Sequence, residues 1–396
     1  MKTHSIRKFL AFALAILVVA SLSVTAFADY TAANGPTNVS LTKYLRMETG
    51  AKAPPVTFKF AVTSPTAAVD ANTATNTPRI EVGAGTPTIA DITFQPEDTV
   101  YTTVQTGDTV TLDATYTGYA RRSQTVSFNT ITFPAPGIYR YIVTESFDGS
   151  AADMAKYGIT NDANTTRYMD VYVEHVNDTT LSVSSVVFHN QAAGIPTNSA
   201  VDTDLKNKGF ANSYETSTLQ LKKEVTGNQG NRHEYFEFTV NITGAIPSAV
   251  FPVDITKAEA SVTYNGAAKT NGTSITAGAD GAAEAKFYLK SGQYVVINSL
   301  TKGAGYTITE TDPAALGYSV ATANTDATAT DANTAANIYS VAEIGATDDA
   351  VTFTNHRQGV VPTGIIMDVA PYVVLVLLAG GAILLLSRKK KSTPDW

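Results

Sequence analysis

Most of this 396-residue chain alternates apolar and polar residues with a period of two. Segments such as VTFKFAV (56–62), YRYIVTE (139–145), YMDVYVEHV (168–176) and LSVSSVVFH (181–189) are rich in Val, Thr, Tyr and Phe, and Gly, Pro, Asn and Asp separate them. That period matches the pleat of a strand and cannot lay an apolar stripe along a helix. The chain is therefore read as all-β, with sandwiches as the expected architecture. One helical turn is expected, in SAADMAKYG (150–158). The Ala/Thr/Asn/Asp-rich segments 66–78 and 320–337 read as solvated loops.

The same pleat raises an electrostatic problem. In LQLKKEVTG (219–227), Leu219, Leu221 and Val225 share one face and Lys223 falls on it with them, while Gln220, Lys222 and Glu224 face the other way. A lysine in an apolar row costs roughly several kcal/mol unless something pairs with it or removes its charge. The pattern recurs in order along the chain. The first half has VSLTKYLRMETG (39–50), Phe58-x-Phe60, YIVTE (141–145) and FANSY (210–214). The second half has LQLKKEVTG, Phe236-x-Phe238, YTITE (306–310) and FTNHR (353–357). Lys43 is in phase with Val39, Leu41 and Leu45, against Ser40, Thr42 and Tyr44. Glu145 follows Tyr141 and Val143, Asn212 follows Phe210, Glu310 follows Tyr306 and Ile308, and Asn355 follows Val351 and Phe353. Two domains of one plan are expected, 29–215 and 216–358, each turning a lysine, a glutamate and an asparagine into its apolar side.

Taken singly, any of these residues is explained by snorkelling or by a bond to backbone. The ordered triple, twice in phase with the apolar face, points to chemistry. Burial favours neutral forms, so a buried Lys loses its proton and a buried Glu keeps one, with shifts of up to ~3–5 units. A neutral lysine amine is a nucleophile, and the Asn side-chain carbon is an electrophile with ammonia as its leaving group. A protonated Glu can polarise the Asn carbonyl and relay protons to the leaving nitrogen. Positioning alone supplies ~7–11 kcal/mol in favourable cases. The expected product is a Lys–Asn isopeptide bond, with Glu145 and Glu310 as proton relays, joining Lys43 to Asn212 and Lys223 to Asn355. The chemistry is a single autocatalytic turnover, so the chain is not read as an enzyme.

Other classes find no support. There is no cysteine, so the extracellular cross-link of ordinary secreted proteins is missing. The five histidines (His4, His175, His189, His233, His356) are scattered without metal-ligand spacing, and no metal and no cofactor are expected. No nucleophile elbow, phosphate loop or dinucleotide fingerprint occurs.

The ends place the chain in a cell. Residues 1–28 have a basic start, the apolar run Phe9–Val19 and Ala26-Phe27-Ala28, which reads as a signal peptide cut after Ala28. The alternative, an uncleaved anchor, has a run short for spanning. At the other end, residues 359–396 hold Val361-Pro362-Thr363-Gly364, the uncharged stretch Val369–Leu386 and the basic cluster Arg388–Lys391. The stretch is about long enough to span a bilayer, with the basic residues on the cytoplasmic side. Between these ends, 21 basic and 33 acidic residues leave a net charge near −12, which argues against nucleic-acid binding.

The C-terminal layout resembles a Gram-positive cell-wall sorting signal in the variant form of certain streptococcal-type pilins. The resemblance implies that a sortase cuts between Thr363 and Gly364 and joins Thr363 to an amine. The two triples, VTGNQG after Lys223, the Tyr-x-x-x-Glu strands and the Phe-x-Asn ends resemble the major backbone pilins of Gram-positive pili. That family implies tandem immunoglobulin-like (CnaB-type) sandwiches, each locked by an isopeptide bond. It also implies a surface-anchored, covalent head-to-tail polymer made with a pilus-specific sortase, neighbouring pilin subunits and peptidoglycan as partners. The lysine accepting the next subunit is expected shortly before the last strand of the first domain, as Lys206 or Lys208, with Lys206 preferred. The rival reading is a wall-anchored adhesin or minor pilin that is never extended. A secreted hydrolase is a distant third.

Overall fold

The structure, a computed structural model, describes residues 39–73, 77–177, 180–190, 192, 209–324, 336–359, 372, 374–380 and 382–383. Ala28, Lys206, Lys208 and Val361–Gly364 lie outside the described residues. Strands dominate, as the period of two requires. Those of five or more residues are β1 (Val39–Met47), β2 (Thr57–Thr63), β3 (Gly118–Ser127), β4 (Gly137–Phe147), β5 (Thr166–Asn177), β6 (Thr180–His189) and β7 (Gly209–Tyr214). They continue with β8 (Thr216–Thr226), β9 (Phe236–Thr243), β10 (Val250–Asp254), β11 (Ala283–Leu289), β12 (Tyr294–Thr301), β13 (Gly305–Glu310), β14 (Ser319–Asn324) and β15 (Asp349–His356). The expected helical turn is α1 (Ala151–Lys156). Ser150 caps it through a reciprocal bond with Asp153, which satisfies two of its orphan donors.

Two sheets face each other in each half. In the first, Thr88–Ile89, β3, β1, β7 and Ile159–Thr160 form one sheet, with Val100–Tyr101 also on β3, and β6, β5, β4, β2 and Ile92–Thr93 form the other, with Ile80–Val82 also on β4. In the second, Ser274–Thr276, β10, β12, β8, β15 and β14 form one, and β11, β9, β13 and Ile338–Val341 the other. The first and last long strands of each half pair in parallel, β1 with β7 and β8 with β15. A parallel pair needs a long connection, and here nearly the whole domain is that connection.

A single residue, Glu215, separates β7 from β8. Its N–H donates to the Gly158 carbonyl at 2.8 Å, and its carboxylate meets Lys302 Nζ at 3.2 Å. Gly158 sits at φ +69°, and a Cβ there would lie 2.4 Å from the Glu215 carbonyl oxygen, so this approach demands glycine.

The burial pattern departs from the expected alternation in two places. Tyr44 and Thr42, expected on the solvent side of β1, are 1% and 5% exposed. The segment between Val100–Tyr101 and β3 folds over that face. Asp108 there accepts from Tyr119 Oη at 2.5 Å, Arg121 Nη1 at 2.6 Å and Tyr44 Oη at 3.3 Å. Second, residues 319–324, partly expected as loop, form edge strand β14, because β15 offers an unpaired ladder to them. The uncharged C-terminal stretch is helical at 372, 374–380 and 382–383. Among the described residues no helix is long and apolar enough to cross a membrane.

The outer face of β4 carries a buried ion network. Arg140 donates to both carboxylate oxygens of Asp170, at 2.7 and 2.8 Å, and His189 Nε2 lies 3.0 Å from Asp170 Oδ2. Burial opposes the Asp170 charge, yet these partners hold its carboxyl below the usual range. A depressed carboxyl contributes stability that is complete above the unfolded value of about 3.9 and is lost as pH falls through the folded value. Asp170→Ala strands a buried guanidinium and should cost the first domain ~3–5 kcal/mol, measured by urea unfolding at neutral pH.

Candidate functional site

Each domain places its lysine, glutamate and asparagine together in the core. Lys43 pairs across the ladder with Phe210, and Leu45 with Asn212, so the amide lies two residues beyond the amine on the same face. Lys223 pairs with Phe353, and Val225 with Asn355, in an identical stagger. A long side chain spans such a diagonal. The glutamates come from the opposite sheet, where Glu145 pairs with Phe60 and Glu310 with Phe238. These are the second phenylalanines of the two Phe-x-Phe pairs. The first ones floor the sites: Lys43 Nζ lies 4.5 Å from the Phe58 ring centroid and Lys223 Nζ 4.4 Å from that of Phe236. All six polar residues are buried.

In the second domain, Lys223 Nζ donates to Glu310 Oε1 at 2.7 Å and Asn355 Nδ2 donates to the same oxygen at 2.7 Å. One carboxyl oxygen thus touches both the would-be nucleophile and the would-be leaving nitrogen. It can take a proton from one and hand it to the other without solvent. Glu310 Oε2 and Asn355 Oδ1 have no hydrogen-bond partner among the described residues. In the first domain, Lys43 Nζ lies 3.0 Å from Glu145 Oε2 and donates to the Phe210 carbonyl at 3.3 Å. Asn212 Oδ1 accepts the main-chain N–H of Asp162 at 2.9 Å.

Burial governs the charges. It pulls both lysines down to about 8 against the attraction of their glutamates, and it pushes Glu145 and Glu310 up against the attraction of the lysines. Neutral amine beside neutral acid becomes accessible near neutral pH, which is the protonation state that amine attack on an amide needs.

The residues Asp162 and Arg167, beside Asn212, were not among the expected ones. Arg167 is 1% exposed, and its guanidinium contacts Asp162 Oδ2 at 2.8 Å. The signal was available, since Arg167 shares a face of β5 with buried Met169, Val171 and Val173. It is a charged residue in an apolar row, like Lys223. Among the described residues no cluster of His, Asp and Glu has metal-site geometry.

Residues 39–215 match the family model described as the Spy0128-like isopeptide-containing domain. Residues 217–357 match a domain of unknown function (DUF7601). A curated relative named Pilin, from Streptococcus pyogenes serotype M1, is 26% identical over 281 residues, covering 67% of this chain and 71% of its own. The solved major pilin T3.2 from Streptococcus pyogenes serotype GAS13637 covers 82% of this chain and 99% of its own, with a TM-score of 0.50 at 19% identity. Another solved major pilin from Streptococcus pyogenes covers 83% and 100%, with a TM-score of 0.49 at 21% identity.

Glu310→Gln removes the carboxylate that raises the Lys223 value, so the amine should titrate below its present value of about 8. A lysine depressed in the folded state leaves the unfolded state holding more protons from that folded value up to about 10.4. The second domain of this variant should therefore gain stability as pH rises across that window, measured by urea unfolding at pH 7 and pH 10.

Proposed function

We propose that this chain is the structural shaft subunit of a covalent surface pilus, each of whose two domains closes itself with one Lys–Asn isopeptide bond. The single observation that carries the reading is the doubled triad: two buried Lys–Glu–Asn clusters, in one stagger, across parallel first and last strands. The match of the first domain to an isopeptide-containing family and the likeness of the chain to a curated pilin support it.

The bonds pair Lys43 with Asn212 and Lys223 with Asn355, with Glu145 and Glu310 as the respective proton relays. Lysine Nζ attacks the asparagine Cγ, the Cγ–Nδ2 bond breaks, and ammonia leaves with the proton that the amine gave up through the glutamate. Each bond closes a loop of 169 or 132 residues. By analogy with a disulfide, such a loop adds ~5 kcal/mol through the unfolded state. Unlike a disulfide, it cannot be reduced, which suits an exported chain with no cysteine.

Assembly is read from the ends. A signal peptide cut after Ala28 exports the chain, and a sortase cuts after Thr363 and joins that residue to Lys206 or Lys208 of a neighbouring subunit, or finally to peptidoglycan. Residues 369–386 hold the precursor in the membrane until then.

The intact mass of residues 29–363 tests the bonds. The wild type should be light by about 34 Da, one ammonia per bond, and Glu145→Ala or Glu310→Ala should each halve the deficit. A full wild-type mass overturns the isopeptide reading. Polymerisation is tested separately in cells: Lys206→Ala with Lys208→Ala should abolish the high-mass ladder while leaving the 34 Da deficit of the monomer. A normal ladder removes both lysines from the acceptor role.

A further inference from the structure

Asn212 and Asn355 occupy equivalent places, yet different donors hold them. Around Asn355, Nδ2 donates to Glu310 Oε1 and Oδ1 has no hydrogen-bond partner among the described residues. Around Asn212 the carbonyl oxygen has a donor as well. Its Oδ1 accepts the Asp162 main-chain N–H at 2.9 Å, while its side chain also bonds the Glu145 carboxyl. That N–H belongs to a clamp on β7. Arg167 Nε donates to the Gly209 carbonyl at 2.9 Å, and its guanidinium lies 4.4 Å from the Phe210 ring centroid. Arg167 Nη2 donates to Asp162 Oδ2, which also accepts the Ala211 N–H at 2.6 Å. Four consecutive residues, Gly209 to Asn212, are gripped by this one ion pair and its backbone.

We propose that the Asp162 main-chain N–H is the oxyanion donor for bond formation in the first domain, with the Asp162 carboxylate and Arg167 as positioning residues. The two domains then differ, the first holding its asparagine carbonyl with a fixed amide and the second showing no donor at Asn355 Oδ1 among the described residues. The inference rests on the reading of Lys43 and Asn212 as a bonding pair. In the step itself, the Lys43 Nζ lone pair attacks Cγ and the C=O π pair moves onto Oδ1, facing the Asp162 N–H. Glu145 carries a proton from Nζ to Nδ2. The C=O bond re-forms, Cγ–Nδ2 breaks and ammonia departs. A donor at 2.9 Å, already oriented and unable to titrate, is the geometry that stabilises a developing oxyanion, and losing one such donor costs ~10²–10³-fold in rate.

The test starts from chains of residues 29–363 dissolved unfolded in urea and refolded by dilution, with each 17 Da loss assigned to its domain from proteolytic fragments over time. Asp162→Asn keeps the N–H and an acceptor for Ala211, and the first-domain bond should form within about threefold of the wild-type rate. Asp162→Pro deletes the N–H, and that bond should slow by on the order of 10²-fold, with the second-domain bond unchanged in the same molecules. A first-domain rate unchanged in Asp162→Pro overturns the proposal, and so does an Asp162→Asn rate as slow as that of Asp162→Pro. If Asp162→Pro leaves the first domain unfolded, the unreactive variant Lys43→Met decides. Its Asp162 amide should exchange slowly with solvent, and at least tenfold faster when Asn212→Ala is added; equal exchange overturns the proposal. Absence of any first-domain mass loss in the wild type would instead sink the bonding pair itself.

Discussion

The parallel pairing of the first strand with the last strand of each domain is the constraint on which the rest depends. It sets a stagger in which the lysine stands opposite a phenylalanine and the asparagine lies two residues further along the same face. A slip of one residue would turn one of the two groups to the other face of the sheet. The sandwich then brings the glutamate over from the second sheet, opposite the second phenylalanine of each Phe-x-Phe. Burial of the cluster supplies the protonation states.

The same pairing gives the proposed bonds their mechanical meaning. With those proposed bonds in place, a pull on the ends would enter through β1, cross to β7 through Lys43–Asn212, and reach β8 after the single residue Glu215. It would cross again through Lys223–Asn355 to β15. The chain between the linked residues, loops of 169 and 132 residues, stays out of the load path. A fibre subunit built this way has strength independent of the hydrogen bonds of its sheets. The one-residue linker and the contacts of Glu215 with Gly158 and Lys302 leave little slack between the domains.

The two domains are not copies in detail. The second closes its cluster with a minimum of groups, one carboxyl oxygen bridging amine and amide. The first surrounds its asparagine with a further buried pair, Asp162 and Arg167, and covers the outer face of β1 with the Asp108 cluster. Equivalent triads are thus set in two electrostatic environments, one nearly free of other charges and one shaped by them.

Much of the fold was legible in the chain because a period of two is a local property. The alternation of β8, β13 and β15 was read residue by residue, and Lys223, Glu310 and Asn355 emerged as polar groups in apolar rows. The helical turn at 151–156 was legible from Ser150 and Asp153, whose reciprocal cap is also local. Burial of Tyr44 was not, because the covering segment arrives from more than fifty residues away. Arg167 carried the same phase signal as Lys223, yet its partner Asp162 sits outside any strand, where no period marks it. By itself the sequence determined the strands and the inward-facing triples, since each depends on neighbours along the chain. Only the tertiary structure decided the stagger of first and last strands, the oxygen shared at Glu310 and the amide held at Asn212. Those depend on distances between residues remote in sequence, which packing alone fixes.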